Sequence, residues 1–301
     1  LSSSSAASDV YKRQAMSSSS LSKTLYRYGR DPVSMTLLVC VIVSAVITFL
    51  SLAFLLGYII LQGIPNINLD LFAFEYNTEN VSLFPALVDT VIMVLLALAI
   101  ATPLGIFAAI YLVEYASRDN KIVGVVRVTA DTLSGIPSIV YGLFGMLFFV
   151  TYLKWSYSLL AGSCTVAIMI LPLIMRTTEE ALKAIPDSYR EGSYGLGAGK
   201  LRTVFAIVLP SAIPGILAGV ILGIGRIVGE TAALMYTSGT VAALPHNVFS
   251  SGRTLAVHMY VLASEGLFMK QAYATAVILV VIVIAINAAS SYLARKLMKG
   301  N

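Results

Sequence analysis

The segment Gly223-Ile224-Gly225-Arg226-Ile227-Val228-Gly229-Glu230-Thr231-Ala232 sets an arginine and a glutamate inside an otherwise apolar run that extends from Thr203 to about Leu234. A helix that crosses a bilayer needs roughly 20 largely apolar residues, and this run is long enough. A charge inside such a span is costly and faces a partner or an aqueous cavity. If the helix is continuous, Arg226 and Glu230 are four residues apart and share a face. At about 100° per residue, Gly215, Gly219 and Gly223 fall on the same narrow stripe. Small residues there let a second helix backbone approach closely. The expectation is a guanidinium near a tight helix–helix contact and not out in lipid. Arginine stays protonated and carries five donors in a planar fork, which matches a tetrahedral oxyanion. Two readings stay open. Arg226 lies on an anion path, with Glu230 holding the fork when no anion is present, or the two form a structural bridge that locks two helices.

The rest of the chain supports a membrane setting. Of 301 residues, 58% are hydrophobic and 12% charged, against about 45–50% and about 25% in soluble domains. The mean hydropathy is +0.86. This excludes a soluble enzyme and bulk disorder. Five further spans are read at about Leu37–Leu61, Leu87–Leu112, Ile136–Leu153, Tyr157–Met175 and Tyr273–Leu293. The third is short and is preceded by Gly135 and opens with Pro137 and Ser138, so a full span and a re-entrant element are both open. The predicted class is all-α: a polytopic membrane protein with six transmembrane helices. Residues 1–32 read as a polar, disordered tail and 33–298 as the transmembrane domain. Met16 is a candidate start, which would make residues 1–15 non-native. No removed signal peptide is expected. Pro103, Gly105, Pro172, Pro210 and Pro214 interrupt the spans, either as ordinary kinks or as parts of a path that opens and closes.

Charge gives the expected orientation. Sixteen of the twenty basic residues lie in the N-terminal tail, residues 113–135, residues 176–202 and the C-terminus. The alternate loops hold only Lys154, Arg253 and Lys270, against Asp70, Glu75, Glu79 and Glu265. Basic loops stay in the cytoplasm, so both termini are expected there. His258 and Glu265 then lie in an outer segment, either as ordinary loop or half-helix residues or as contributors to its polar surface. Cys40 and Cys164 sit in apolar runs and are expected as buried thiols, not a disulfide. No metal-ligand spacing occurs, and the net charge of +5 is not read as nucleic-acid binding.

Residues 176–202 form the longest basic loop. Pro186-Asp187-Ser188 is a helix start, and Gly195, Gly197 and Gly199 break the helix after Tyr189, Arg190 and Glu191. A short amphipathic helix between two spans suits either docking to a cytoplasmic partner or lying on lipid. The stretch Gly195-Leu196-Gly197-Ala198-Gly199-Lys200-Leu201 is not a phosphate loop: position 194 is Tyr, and Leu201 stands where a magnesium-binding Ser or Thr is required. No metalloprotease motif, serine elbow or nucleophile triad is present. The chain is therefore read as a non-enzymatic subunit, and any ATP it exploits is bound elsewhere.

At this loop the sequence resembles the permeases of ATP-binding-cassette importers, whose signature is Glu-Ala-Ala, three residues, Gly, nine residues, Ile-x-Leu-Pro. Glu191-Gly192-Ser193, Gly197, Ile207, Leu209 and Pro210 keep that spacing, with Gly192 and Ser193 in place of the alanines. Within the superfamily the chain resembles the phosphate-specific PstA branch over about residues 33–298. The marks are Leu133-Ser134-Gly135-Ile136-Pro137-Ser138-Ile139-Val140-Tyr141-Gly142, Arg226 with Gly229-Glu230-Thr231-Ala232, Thr254-Leu255-Ala256-Val257-His258, and Ala263-Ser264-Glu265-Gly266. The resemblance implies a type I importer permease of MetI-like fold in the bacterial inner membrane, importing inorganic phosphate. It implies a PstC-like sister permease, a homodimeric PstB-like ATP-binding subunit that carries the ATP and Mg, and an extracytoplasmic PstS-like phosphate-binding protein. No cofactor is expected on this chain itself. Arg226, Glu230 and Arg176 are implied on the substrate pathway. Glu191, Gly192, Ser193, Gly195, Gly197 and Pro210 are implied in ATPase coupling. Molybdate or sulfate as the substrate, or a non-transporting scaffold or sensor role, are the alternatives.

The charge pattern predicts the labelling of single cysteines placed in a Cys-free background. A membrane-impermeant thiol reagent should reach cysteines within residues 62–86 and 235–272 from outside sealed cells, and should miss a cysteine at position 183. Labelling of position 183 from outside would reverse the assigned orientation.

Overall fold

The computed structural model describes residues 32–117 and 120–299. The tail expected over residues 1–32 and the candidate start at Met16 lie outside the described residues, apart from Pro32. Every regular element among the described residues is helical. The chain divides into two compact units, residues 1–59 and 60–301. The described part of the first belongs to helix α1 (Pro32–Gly63), largely apolar and without a charged residue.

The second unit contains α2 (Phe84–Ile110), α3 (Lys121–Ser134), α4 (Ser138–Gly145), α5 (Leu159–Lys183), α6 (Asp187–Gly195), α7 (Lys200–Thr203), α8 (Leu209–Val228), α9 (Ala232–Met235), α10 (Leu255–Glu265) and α11 (Met269–Lys299). Wide π-type turns extend α2 over Tyr111–Tyr115 and α4 over Met146–Tyr152, and lead into α8 over Val204–Val208. The last of these precedes Pro210, which has no N–H to donate to the carbonyl of Ala206. Five helical stretches among the described residues are long and apolar enough to span, and α3 with the extended α4, bent by 102°, is a broken sixth span or a re-entrant element.

The third span, read at about Ile136–Leu153, is helical over Ser138–Tyr152, and the extended Pro137 (ψ 140°) separates it from α3. Proline also leaves the carbonyl of Leu133 without its usual helical donor four residues on. The Leu133 carbonyl accepts instead from the Ile136 N–H at 3.1 Å and from the Tyr141 hydroxyl at 2.8 Å. The limits of two other spans need correction. The fourth span does not stop at Met175 but continues to Lys183, supported by Arg176–Glu180 and Lys183–Glu179 pairs one turn apart. The fifth ends at Val228 and not Leu234; the chain turns over Gly229–Thr231 before α9 begins. As to the cysteines, both thiols are free, but Cys40 is exposed and Cys164 only half-buried.

Helix α5 is the centre of the second unit. Its most apolar window is 67% buried, against 22%, 28% and 22% for the spans containing α2, α8 and α11. On one side it meets a row of residues spaced by four on α2: Met93, Ala97, Ala101, Gly105 and Ala109, all buried. A Cβ on Gly105 would press into Ile174. On the other side it meets the glycine stripe of α8. A Cβ on Gly215 would contact Ala181, one on Gly219 would overlap Thr177, and Gly223 faces Ile170 and Ile174. Lipid tails are as apolar as leucine, so helices in a bilayer are held by close packing and not by burial from water. The glycine stripe read from the sequence is thus a tight helix–helix contact.

Gly219→Val should lower the stability of the detergent-purified protein by about 1–3 kcal/mol, as overpacking does. Gly225→Ala, on the same helix but with nothing within 4 Å of its Cβ, should be neutral or mildly stabilising. Equal melting temperatures for the two variants would contradict the assigned contact.

Candidate functional site

Arg226 occupies the last turn of α8 and is exposed. It forms no ion pair among the described residues. Glu230 is buried, and its Oε1 accepts a hydrogen bond from the Ala233 N–H at 3.0 Å. The carboxylate therefore caps the first turn of α9 and does not hold the Arg226 fork. The shared face expected for the two residues requires a helix through position 230, and that helix stops at Val228.

Around Arg226 two broken helices meet. Gly142 of α4 is packed so closely on α9 that a Cβ there would lie 2.8 Å from Ala233 Cα. Tyr141, whose hydroxyl bridges the α3–α4 break, is close enough to feel the positive charge of Arg226. Interrupted backbone at membrane depth is tolerated where protein or a water-lined cavity satisfies it. An unpaired guanidinium beside two such breaks can attract an anion and offer it a bidentate contact.

Arg176 is not associated with Arg226. It lies near the end of α5 and is held by Asp131 of α3 at 2.5 Å and by Glu180 at 3.5 Å. These groups, with Arg127, Glu179 and Lys183, line a pocket of about 170 Å³ in which three cations face three carboxylates. Arg127 also pairs with the buried carboxylate of Glu179 at 2.8 Å, joining α3 to α5.

The loop after α5 is built as its sequence suggests. Pro186 precedes α6, and Asp187 sits in its first turn, where a negative charge is favoured. Glu191, Gly192 and Gly195 are exposed, as are Tyr189, Tyr194 and Leu196. Gly197 adopts φ +79°, a conformation that a side chain disfavours, and reverses the chain. Ser193, where the signature has alanine, is buried, and its Oγ lies 2.8 Å from Thr203 Oγ1, tying α6 to α7. Pro210 lies away from this surface, in the first turn of α8, where its missing N–H shapes the wide turn before it. A groove of about 370 Å³ opens beside the turn between Leu196, Gly197 and Arg202.

A further polar cluster joins the start of α2 to the segment before α10. Asp89, Arg253, Thr254 and His258 are all buried, and each has side-chain polar atoms without a hydrogen-bond partner. Gly252 lies against the Asp89 carboxylate, and the Arg253 guanidinium stacks 4.8 Å from the centre of the Tyr76 ring. Of the two residues read in the outer segment, His258 is fully buried with its ring perpendicular to that of Tyr76, whereas Glu265 is exposed. Burial, with a smaller contribution from Arg253, pushes the pKa of His258 down to about 3. The sequence did carry a signal for this cluster: Asp89, a carboxylate in the apolar run Leu87-Val88-Asp89-Thr90.

These features define a polytopic helical membrane permease, a transport subunit and not an enzyme. The chain belongs to the family of binding-protein-dependent transport system inner membrane components, whose pattern matches residues 101–299. It is 31% identical to the probable ABC transporter permease protein YqgI of Bacillus subtilis over 81% of this chain and 89% of that protein. It is 34% identical to the phosphate transport system permease protein PstA 1 of Mycobacterium tuberculosis over 69% of each chain. With the PstA of Yersinia pestis it shares 42% identity over 59% of this chain and 60% of that one. The fold matches a subunit of a bacterial alginate ABC transporter, solved with an alginate-bound periplasmic protein, at TM-score 0.66 and 17% identity, covering 87% of this chain and 95% of that one. It also matches the MetNI methionine transporter in an inward-facing conformation at TM-score 0.56 and 22% identity, covering 71% and 94%. The MetI-like importer permease fold is thereby established.

The buried histidine carries a pH dependence with a definite sign. His258 is neutral in the fold down to about pH 3, while an unfolded histidine takes up a proton near pH 6.5. Its contribution is intact above pH 6.5 and declines as pH falls below that value, by about 2 kcal/mol at pH 5. Between pH 7.5 and pH 5 the change in thermal stability of wild type and of His258→Gln should differ by about 2 kcal/mol, the wild type losing more or gaining less. An unchanged pH slope in the variant would place the titration elsewhere.

Proposed function

We propose that this chain is a permease subunit of an ATP-driven importer of inorganic phosphate, with Arg226 on the anion path. The observation that carries the reading is the exposed, unpaired guanidinium at the end of an apolar span, beside two broken helices. A structural bridge would leave Arg226 neutralised; no carboxylate of the described residues pairs with it. The PstA names of the relatives support phosphate as the anion. Glu230 acts at one remove, by shaping the turn from which Arg226 projects. Arg176, already held by two carboxylates, acts at the other end of the path, where an anion must compete with them and so is released readily.

In this reading α6 and its Gly197 turn face a separate ATPase subunit, with Glu191, Gly192 and Gly195 on the contact surface and Ser193 bracing it from behind. ATP and Mg reside on that subunit, since the chain's own glycine-rich stretch lacks the residues of a phosphate loop. A sister permease and an extracytoplasmic binding protein complete the importer, and both termini lie in the cytoplasm.

Arg226→Gln keeps donors but removes the charge and the fork. Loss of a charge-assisted interaction of about 1.5–3 kcal/mol should cut phosphate uptake about tenfold or more. Uptake of labelled phosphate, sulfate and molybdate should be compared in cells lacking the native permease, with membrane abundance measured alongside. Wild-type phosphate uptake at normal abundance would remove Arg226 from the path, and a selective loss of sulfate or molybdate uptake would reassign the substrate.

A further inference from the structure

Arg190 lies in the coupling segment but not on its exposed face; its side chain is only 15% exposed. All three guanidinium nitrogens are engaged. Nε donates to Glu114 Oε1 at 3.1 Å, and Nη2 donates to the same oxygen at 2.6 Å, a fork against a carboxylate whose side chain is 5% exposed. Nη2 also donates to the carbonyl of Leu182 at 3.0 Å. Nη1 donates to the carbonyl of Ile185 at 2.9 Å and to Asp187 Oδ1 at 3.1 Å. Hydrogen bonding to Glu114 raises the arginine's pKa further above its ordinary value, so the charge is permanent.

These contacts join three elements. Glu114 lies in the wide turn that extends α2. Leu182 belongs to the last turn of α5 and Ile185 follows it, where carbonyls lack the usual donor four residues on, Leu182 O taking a long 3.4 Å bond from the Ile185 N–H, and a cation is favoured. Asp187 and Arg190 belong to α6. One side chain thus caps α5, grips the end of α2 and fixes α6 to both. Since α5 also packs closely on α2 and α8, α6 cannot shift independently of the helices that lead to Arg226.

We propose that Arg190 and Glu114 form the rigid joint through which movement of α6 is passed to the transmembrane helices, a positioning pair required for transport to follow ATP hydrolysis and not for docking of the ATPase. The inference rests on the reading of α6 as the ATPase contact. Docking is left to the outward side chains of α6 and its turn, Tyr189, Tyr194 and Leu196, which are exposed and none of which takes part in the joint. A hydrogen-bonded fork suits a joint because it fixes angle as well as distance, which a lysine cannot do.

The test uses the complete importer, purified with its sister permease, ATPase and binding protein and reconstituted into vesicles. The decisive variant is Arg190→Gln with Glu114→Gln, which removes both charges together and leaves neither buried alone. ATPase stoichiometry, ATP hydrolysis and phosphate transported per ATP are measured. The double variant should retain the ATPase subunit at wild-type stoichiometry and transport about fivefold or more less phosphate per ATP. Each single substitution, where it assembles, should lower the ratio as far as the double, and Arg190→Lys should not restore it. A wild-type ratio in the double variant overturns the proposal. So does failure of the double variant to assemble or to retain the ATPase, since the pair would then serve folding or docking. Failure of the underlying reading is distinguishable, because the wild-type complex itself would then hold no ATPase on α6 or move no phosphate.

Discussion

Close backbone approach on both sides of α5 is the contact on which the other features of the second unit depend. Alanine and glycine at four-residue intervals on α2, and glycine at the same interval on α8, let three helices pack with their axes near one another. Most of α5 is consequently enclosed by protein. A helix gripped this way moves as a body with its neighbours, because close-packed interiors transmit displacement and do not absorb it. The two arginines of interest, Arg226 at the end of α8 and Arg190 of α6, which bonds to the end of α5, are attached to this block.

Breaks in the helices are concentrated where the chemistry is. Pro137 separates α3 from α4, and the Gly229–Thr231 turn separates α8 from α9. Each break leaves backbone groups that the membrane interior cannot solvate. The Tyr141 hydroxyl donates to the Leu133 carbonyl beside the Pro137 break, and the Glu230 carboxylate accepts from the Ala233 N–H at the start of α9. Both polar side chains are engaged in local repair, whereas Arg226 has no carboxylate partner among the described residues.

Charge is handled differently at the two ends of the helices. Beside the α6 loop, Arg127, Arg176, Lys183 and Arg190 are each matched to a carboxylate. At the start of α2, Asp89 and Arg253 are enclosed near each other without forming a direct pair. An extended network of paired charges gives the first region defined geometry. The second relies on burial and on stacking against Tyr76.

Much of this was legible in the sequence because it is local. Apolar run length marks a span, a four-residue glycine interval marks a helix face, and Pro186 with Gly197 marks a short helix and its reversal. The limits of the spans were less legible: α5 runs on past Met175 because its charged side chains pair along the helix, and α8 stops early at Gly229. That early stop overturned the shared face of Arg226 and Glu230, since a helical wheel presumes the helix it is drawn on. What only the tertiary structure decided was pairing between distant residues. Glu114 and Arg190 are 76 positions apart, and no periodicity connects them. The burial of His258 likewise depends on Tyr76, from a different part of the chain. Hydropathy and helical period are properties of neighbours in sequence, whereas the partner of a buried charge is chosen by whichever helix end the packing of α2, α5 and α8 brings beside it.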